Sequence, residues 1–313
     1  MEVSGLGIAG EVRLVVTGEN GEIREDTGYH KNLILDQGLE FLGGNHGTHI
    51  NSSCVIGSGN STPTVTQTKL DSFLAIVSGD SQTSDHSYTD TGDGLYRFWE
   101  QKRYRFSGLA DVNVSELGLA SQGNASNYYL TTRVLVKDSM GEPTSISIRT
   151  GETLDIYYKI HKVVDVKDRE FVVNVVGSDG ESEAYNITMR PSLVGNSNWK
   201  VASIQYRTTG AAVSTEDLKP ITGMTKETIK SASTQHEPYI SGSHKKRVNI
   251  EFSLNSGNIG GIRTIGVHGV MYDLYNLQMR IGKVSDDSPL LKTSNQIMTI
   301  PLEYSWGRYE GEL

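Results

Sequence analysis

Glu11-Val-Arg-Leu-Val-Val-Thr-Gly-Glu-Asn20-Gly21-Glu22 reads as a β-strand running into a tight turn. Asn-Gly suits such a turn because both residues tolerate positive φ. The same strand and turn return 159 residues downstream as Glu170-Phe-Val-Val-Asn-Val-Val-Gly-Ser-Asp179-Gly180-Glu181, with Asp-Gly replacing Asn-Gly. Internal repetition at long range is the signature of one supersecondary plan used more than once.

Working outward, further elements recur in the same order. Phe106-Ser-Gly leads to Val114-Ser-Glu-Leu117-Gly118-Leu119, and Phe252-Ser-Leu leads to Ile262-Arg-Thr-Ile265-Gly266-Val267. Leu130-Thr-Thr-Arg133-Val134 matches Leu277-Gln-Met-Arg280-Ile281. Leu154, Ile156, Tyr158 and Ile160 match Ile300, Leu302, Tyr304 and Trp306, and each set alternates with polar or smaller residues. That period of two marks a strand with one buried face. The later offsets are 146 to 148, so the second copy has lost roughly a dozen residues, as loops do. The expected organisation is two tandem, pseudo-repeated antiparallel β-sandwich domains, jelly-roll-like, spanning 1–165 and 166–313, the second a duplicate of the first.

Composition agrees on class. A chain of 313 residues is about two domains long, with 34 Gly, 7 Pro, 36% hydrophobic and 21% charged residues. This excludes a coiled coil, a Pro-rich linker and a highly charged disordered chain, and points to all-β. The net charge of −8 argues against nucleic-acid binding, which needs a basic surface. The single cysteine, Cys54, excludes an internal disulfide framework. No apolar run approaches the roughly 18 residues of a spanning helix, so no membrane insertion is expected. The opening Met1-Glu-Val-Ser-Gly lacks the marks of a signal peptide, which implies synthesis in a cytoplasm.

Along the chain, Tyr96, Phe98, Lys102, Tyr104 and Phe106 share one strand face, and Arg97, Trp99, Gln101, Arg103 and Arg105 the other. One or two short helices are expected: one within Leu33–Leu42, and one over Thr66–Val77, where Leu70, Phe73, Leu74 and Val77 have helical spacing. Segments 78–94 and 209–245 read as polar loops and are expected to make contacts between subunits or with a partner.

Candidate sites are sparse. His46 and His49, with His30 and Cys54, have the donor types of a zinc site but sit in a loop without fixed geometry. Asp90 and Asp93, after Asp80 and Asp85, could offer calcium oxygens, but no Glu closes the loop. Gly57-Ser-Gly59-Asn60-Ser-Thr-Pro63 lacks the Lys of a phosphate cradle and reads as a turn. His244-Lys-Lys-Arg247 reads as a solvated or salt-bridged strand edge. The Arg97/Trp99/Arg103/Arg105 face, and Trp99, Trp199 and Trp306 as a platform, could stack sugars or a partner's surface. Hydrolase motifs are absent, so no catalytic, cofactor-binding or metal residue is assigned and no enzyme is expected.

Asn32-Leu-Ile-Leu-Asp-Gln-Gly-Leu-Glu-Phe-Leu42, followed by Val55-Ile-Gly-Ser-Gly-Asn-Ser-Thr-Pro-Thr-Val-Thr-Gln-Thr-Lys-Leu70, resembles the opening of many tailed-bacteriophage virion proteins. Tyr104-Arg-Phe-Ser-Gly108, Val114–Leu119 and Gly151-Glu-Thr-Leu-Asp-Ile-Tyr-Tyr158 are similar to the continuation in that group. The resemblance covers residues 10–165, and the second copy departs from it at Thr208–Leu218. It implies a structural protein of the viral tail, the neck or collar, or an appendage or fibre attachment. Such a protein works by protein–protein contact with other virion proteins and with copies of itself, as a homo-oligomer. A receptor- or glycan-binding module of the tail is the alternative, and a polysaccharide-degrading enzyme a more distant one. The expected location is the virion, after synthesis in the host cytoplasm.

Overall fold

A computed structural model describes residues 5–43, 50–90, 92–124, 127–177, 179–193, 210–225, 229–230, 232–269 and 276–313, with side chains left out at 81–90, 122–124 and 229–230. The chain is all-β with one short helix. It opens with β1 (Leu6–Thr17), β2 (Ile23–Asp26) and β3 (His30–Ile34), then α1 (Asp36–Gly43). Next come β4 (Ser53–Gly57), β5 (Phe73–Ser78), β6 (Asp80–Asp90) and β7 (Leu95–Phe106). β8 (Val112–Val114), β9 (Glu116–Asn124), β10 (Asn127–Leu130) and β11 (Thr132–Leu135) follow. The first half ends with β12 (Ile146–Ile148) and β13 (Thr153–Asp165). The second half holds β14 (Arg169–Val176), β15 (Ser182–Ser192), β16 (Gly210–Ser214), β17 (Ile229–Lys230) and β18 (Ser233–His236). It closes with β19 (Lys245–Phe252), β20 (Thr264–His268), β21 (Asn276–Lys283) and β22 (Met298–Arg308).

The long strands form where apolar residues alternate. Leu154, Ile156, Tyr158 and Ile160 of β13 are buried, as are Ile300, Leu302, Tyr304 and Trp306 of β22. β13 pairs antiparallel with β1 from Leu6↔Val164 to Thr17↔Thr153 and, on its other edge, with β7 from Leu154↔Phe106 to Asp165↔Leu95. The opposite edge of β1 is taken in series by three strands: β22 in parallel at Leu6–Ile8, β3 at Gly10–Val12 and β2 at Val15–Thr17. The first and last strands therefore join the two halves of the chain through backbone hydrogen bonds.

Two runs of five strands have the same order. One is β1-β3-β11-β9-β4 and the other β14-β15-β21-β20-β16. Their registers also correspond: Val55 faces Gly118 as Ala212 faces Gly266, and Val134 faces Leu117 as Met279 faces Ile265. The opening turns match as well. Gly18 N donates to Glu22 O at 2.9 Å with Gly21 at φ 85°, and Gly177 N donates to Glu181 O at 2.8 Å with Gly180 at φ 84°. Only glycine adopts that φ without steric cost. The runs differ at one seam. β1 is closed by the full length of β13, whereas no described strand pairs with the second edge of β14.

Three expectations are corrected. Thr66–Val77 is not a helix: the backbone N–H groups of Asp71 and Ser72 are drawn to the Glu116 carboxylate, and Phe73–Ser78 pairs with the edge of β4 instead. The expected loop 78–94 is mostly β6, hairpinned onto β7. The segment 209–245 contains β16, β17 and β18, so deleting either segment would remove strands, not only contacts. The expected first helix forms as α1.

The inward face of the β7–β13 pair carries an unusual charge. Lys162 is 1% exposed in the row with Tyr158, Ile160 and Val164, and burial pushes its ammonium down to a pKa of about 7, partly opposed by Glu100. The unfolded chain then holds a proton that the folded chain has lost between pH 7 and about 10.4, so folding stability rises with pH across that window. Urea unfolding is expected to show a gain of about 2 kcal/mol from pH 7 to pH 9, and Lys162→Met to be more stable at pH 7 with most of this slope removed.

Candidate functional site

The face of β1, β13 and β7 turned away from Leu154, Ile156 and Tyr158 gathers aromatic and cationic side chains, most of them half-buried. Lys159 Nζ lies 4.1 Å from the centroid of the Tyr29 ring and 5.0 Å from that of Trp99. Arg13 stands over Tyr157 at 5.8 Å. The guanidinium groups hold carboxylates: Arg105 grips Asp155 at 2.8 and 2.7 Å, Arg103 binds Asp80 at 2.6 Å, and Arg97 binds Asp93 at 3.2 Å. His161 Nε2 meets Glu11 at 2.9 Å, and this hydrogen bond holds the Glu11 carboxyl below its usual range. The expected Arg97/Trp99/Arg103/Arg105 face is thus real as a face, with its charges internally paired. Such a surface can present rings and a lysine to a partner. Among its described side chains no nucleophile is aligned with a base.

A second cluster lies in the glycine-rich turn. Arg133 and Glu116 are both 0% exposed and ion-paired at 2.7 Å. Arg133 also donates to Gln67 at 2.8 Å, Ser61 at 3.2 Å and Asp71 at 2.8 Å. Glu116 accepts from the backbone N–H of Gly59 at 3.0 Å, Ser72 at 2.8 Å and Asp71 at 3.2 Å. Within the Gly57–Pro63 turn the chain's own carboxylates take amides that could have met a phosphate, Glu116 that of Gly59 and Asp71 that of Ser61 at 3.0 Å. Gln278, buried in β21 at the register position of Arg133, anchors the segment after β16 in a parallel way. Its Oε1 accepts from Lys219 N and Thr225 N, both at 3.2 Å, and its Nε2 donates to Gly223 O at 3.2 Å. The pairing sets Gln278, not Arg280, opposite Arg133; Arg280 instead binds Asp217 and Asp287 at the surface. Sequence reading missed this role. The signal was present as Glu116 and Arg133, ionisable residues set inside otherwise apolar strands.

The remaining candidates are dispersed. His46, His49 and Trp199 lie outside the described residues. His30 contacts Thr27 O at 2.7 Å, and Cys54 is buried in β4, where desolvation pushes its thiol pKa up. No described group of three His, Cys, Asp or Glu could hold a metal ion. Asp80 and Asp93 serve arginines, and the side chains of Asp85 and Asp90 are not described. In the basic run, Lys245 and Arg247 share Glu303 at 2.9 and 2.7 Å. Trp306 cannot stack a sugar: it is buried, packed on Tyr239, and donates from Nε1 to Leu39 O at 2.9 Å.

Removing one member of the buried pair would strand the other without a counter-charge. Arg133→Met is expected to cost about 3–5 kcal/mol in chemical denaturation, and the Arg133→Met/Glu116→Gln double variant less than the sum of the singles. Compared with known protein families, characterised proteins and solved structures, the chain matches none.

Proposed function

We propose that the chain is a structural subunit of a tailed-bacteriophage particle, in the tail, the neck or collar, or an appendage, working by protein–protein contact and not by catalysis. One observation carries the reading. The segments that resemble phage virion proteins are distant in sequence yet contact one another. Val55–Leu70 is tied to Val114–Leu119 through Glu116, and Gly151–Tyr158 pairs with Tyr104–Phe106 through Leu154↔Phe106 and Ile156↔Tyr104. The strands among them share one sheet, as the parts of a shared module would.

The matched strand orders support a duplicated sandwich plan, jelly-roll-like, divided near residue 165. Paired charges, with no convergent catalytic group among the described residues, suit a subunit whose partners are other virion proteins and copies of itself. Neither nucleic acid nor membrane is a partner in this reading, and its place is the virion. A receptor- or glycan-binding role is favoured by one observation only, the half-buried Tyr29–Lys159–Trp99 arrangement.

Antibodies against the recombinant chain are expected to decorate one axial position on purified particles in negative-stain images. Particles left unlabelled while the infected lysate contains the chain would reject the assignment. A glycan array is expected to be silent; a hit abolished by Trp99→Ala would move the assignment to the second reading.

A further inference from the structure

β7 and β13 place charge where their inward rows are otherwise apolar. Glu100, 8% exposed, and the half-buried Lys102 lie in the β7 row between Phe98 and Tyr104. Lys162 of β13 is diagonal to Glu100, because the register sets Phe98 opposite Lys162 and Ile160 opposite Glu100. Phe98, Tyr104, Tyr158 and Ile160, the neighbours in these rows, are all buried. Burial holds both ammonium groups below the usual lysine range, and Glu100 opposes the shift in each. Amines stripped of water in this way are nucleophiles.

An electrophile lies against one of them. Lys102 Nζ donates to Asn51 Oδ1 at 3.4 Å, and the amide carbon Cγ is bonded to that oxygen. The contact is longer than an ordinary N–H···O bond, so it brings the two groups together without holding them strongly. Asn51 is 2% exposed, and the Tyr104 hydroxyl fixes its backbone by donating to Asn51 O at 2.5 Å. Asn51 precedes β4, which pairs with β5 and β9, whereas β7 pairs with β6 and β13. Among the described residues no backbone ladder joins β4 to β7, so the two side chains meet between separate ladders.

We propose that Lys102 and Asn51 join through a side-chain amide bond that the folded chain forms by itself, with Glu100 carrying the protons. The Lys102 ammonium first yields a proton to the Glu100 carboxylate. The freed amine attacks Asn51 Cγ, and the new C–N bond displaces Nδ2. Two protons in all leave the lysine nitrogen, pass through Glu100 to Nδ2, and depart with it as ammonium. Glu100 ends ionised, and no oxidant or cofactor is consumed. Proximity and the exclusion of water stand in for an external catalyst. The bond closes residues 51–102 into a covalent ring and ties β7 to the β4 ladder. It stands or falls independently of the chain's place in a particle.

The test is mass spectrometry of the full recombinant chain. Wild type is expected to weigh one ammonia less than its sequence, and trypsin to release a branched peptide joining 32–69 to 98–103, uncut after Lys102. Lys102→Arg is expected to lose the branch. Asn51→Asp is expected to form the same bond with loss of water instead. Glu100→Gln should abolish the bond and Glu100→Asp regain it, with circular dichroism reporting that each variant is folded. A folded wild type that yields only linear peptides would overturn the proposal, as would a branch at Lys162 or undiminished bond formation in Glu100→Gln. Loss of ammonia without a branch, as from ring closure at Asn20-Gly21, counts equally against it. If Glu100→Gln does not fold, the wild-type and Asn51→Asp peptides still decide whether the bond exists.

Discussion

The rest of the molecule hangs on the backbone ladder between β1 and β13, which runs the full length of β1. Each rung satisfies groups that would be costly to bury unpaired. Because the ladder fixes which residues face inward, it places Val12, Leu14 and Val16 in the same core as Ile156, Tyr158 and Ile160. A slip of one residue would turn every one of these side chains toward water. β7 then takes the far edge of β13, and β22, β3 and β2 divide the far edge of β1.

Within that frame, buried polar side chains do the work that secondary structure cannot do for long connections. Glu116 and Arg133 hold the Ser58–Ser72 turn by its backbone amides and side chains, and Gln278 holds Lys219–Thr225 with four hydrogen bonds. Both anchors sit on strands next to the connection that they hold. The charged version binds more groups, and it would be the more damaging to break. The neutral amide satisfies its partners without burying a charge. Equal strand plans therefore carry chemically different anchors.

Much of this was legible in the sequence. The period-two runs gave the faces of β7, β13 and β22, and the Asn-Gly and Asp-Gly turns gave β1 and β14 their ends. The misreadings have physical causes. Thr66–Val77 has helical spacing, but the carboxylate that captures Asp71 and Ser72 lies 45 residues away from Asp71 in the chain, where no local pattern can report it. Segment 78–94 is polar because β6 lies at the outside of the sheet, where a strand needs a partner for its backbone more than it needs apolar side chains. The buried cluster at Glu116 and Arg133 was visible only as two charges out of place. Trp306 looked like a ligand platform because composition does not say which side of a strand is covered.

The parallel contact between Leu6–Ile8 and Trp306–Arg308 sets a condition on how the protein is made. Its partners are 300 residues apart, so this contact closes a very long loop, and such contacts are slow to form. During synthesis Leu6–Ile8 emerges long before its partner and waits, with β3 and β2 able to zip beside β1 but these rungs uncovered, until Trp306–Arg308 has left the ribosome. At the roughly 5–20 residues per second of translation, that wait lasts on the order of 15–60 seconds. The exposed stub of β1 is therefore a temporary sticky end, which a nascent neighbour or a chaperone would meet before the chain's own last strand arrives.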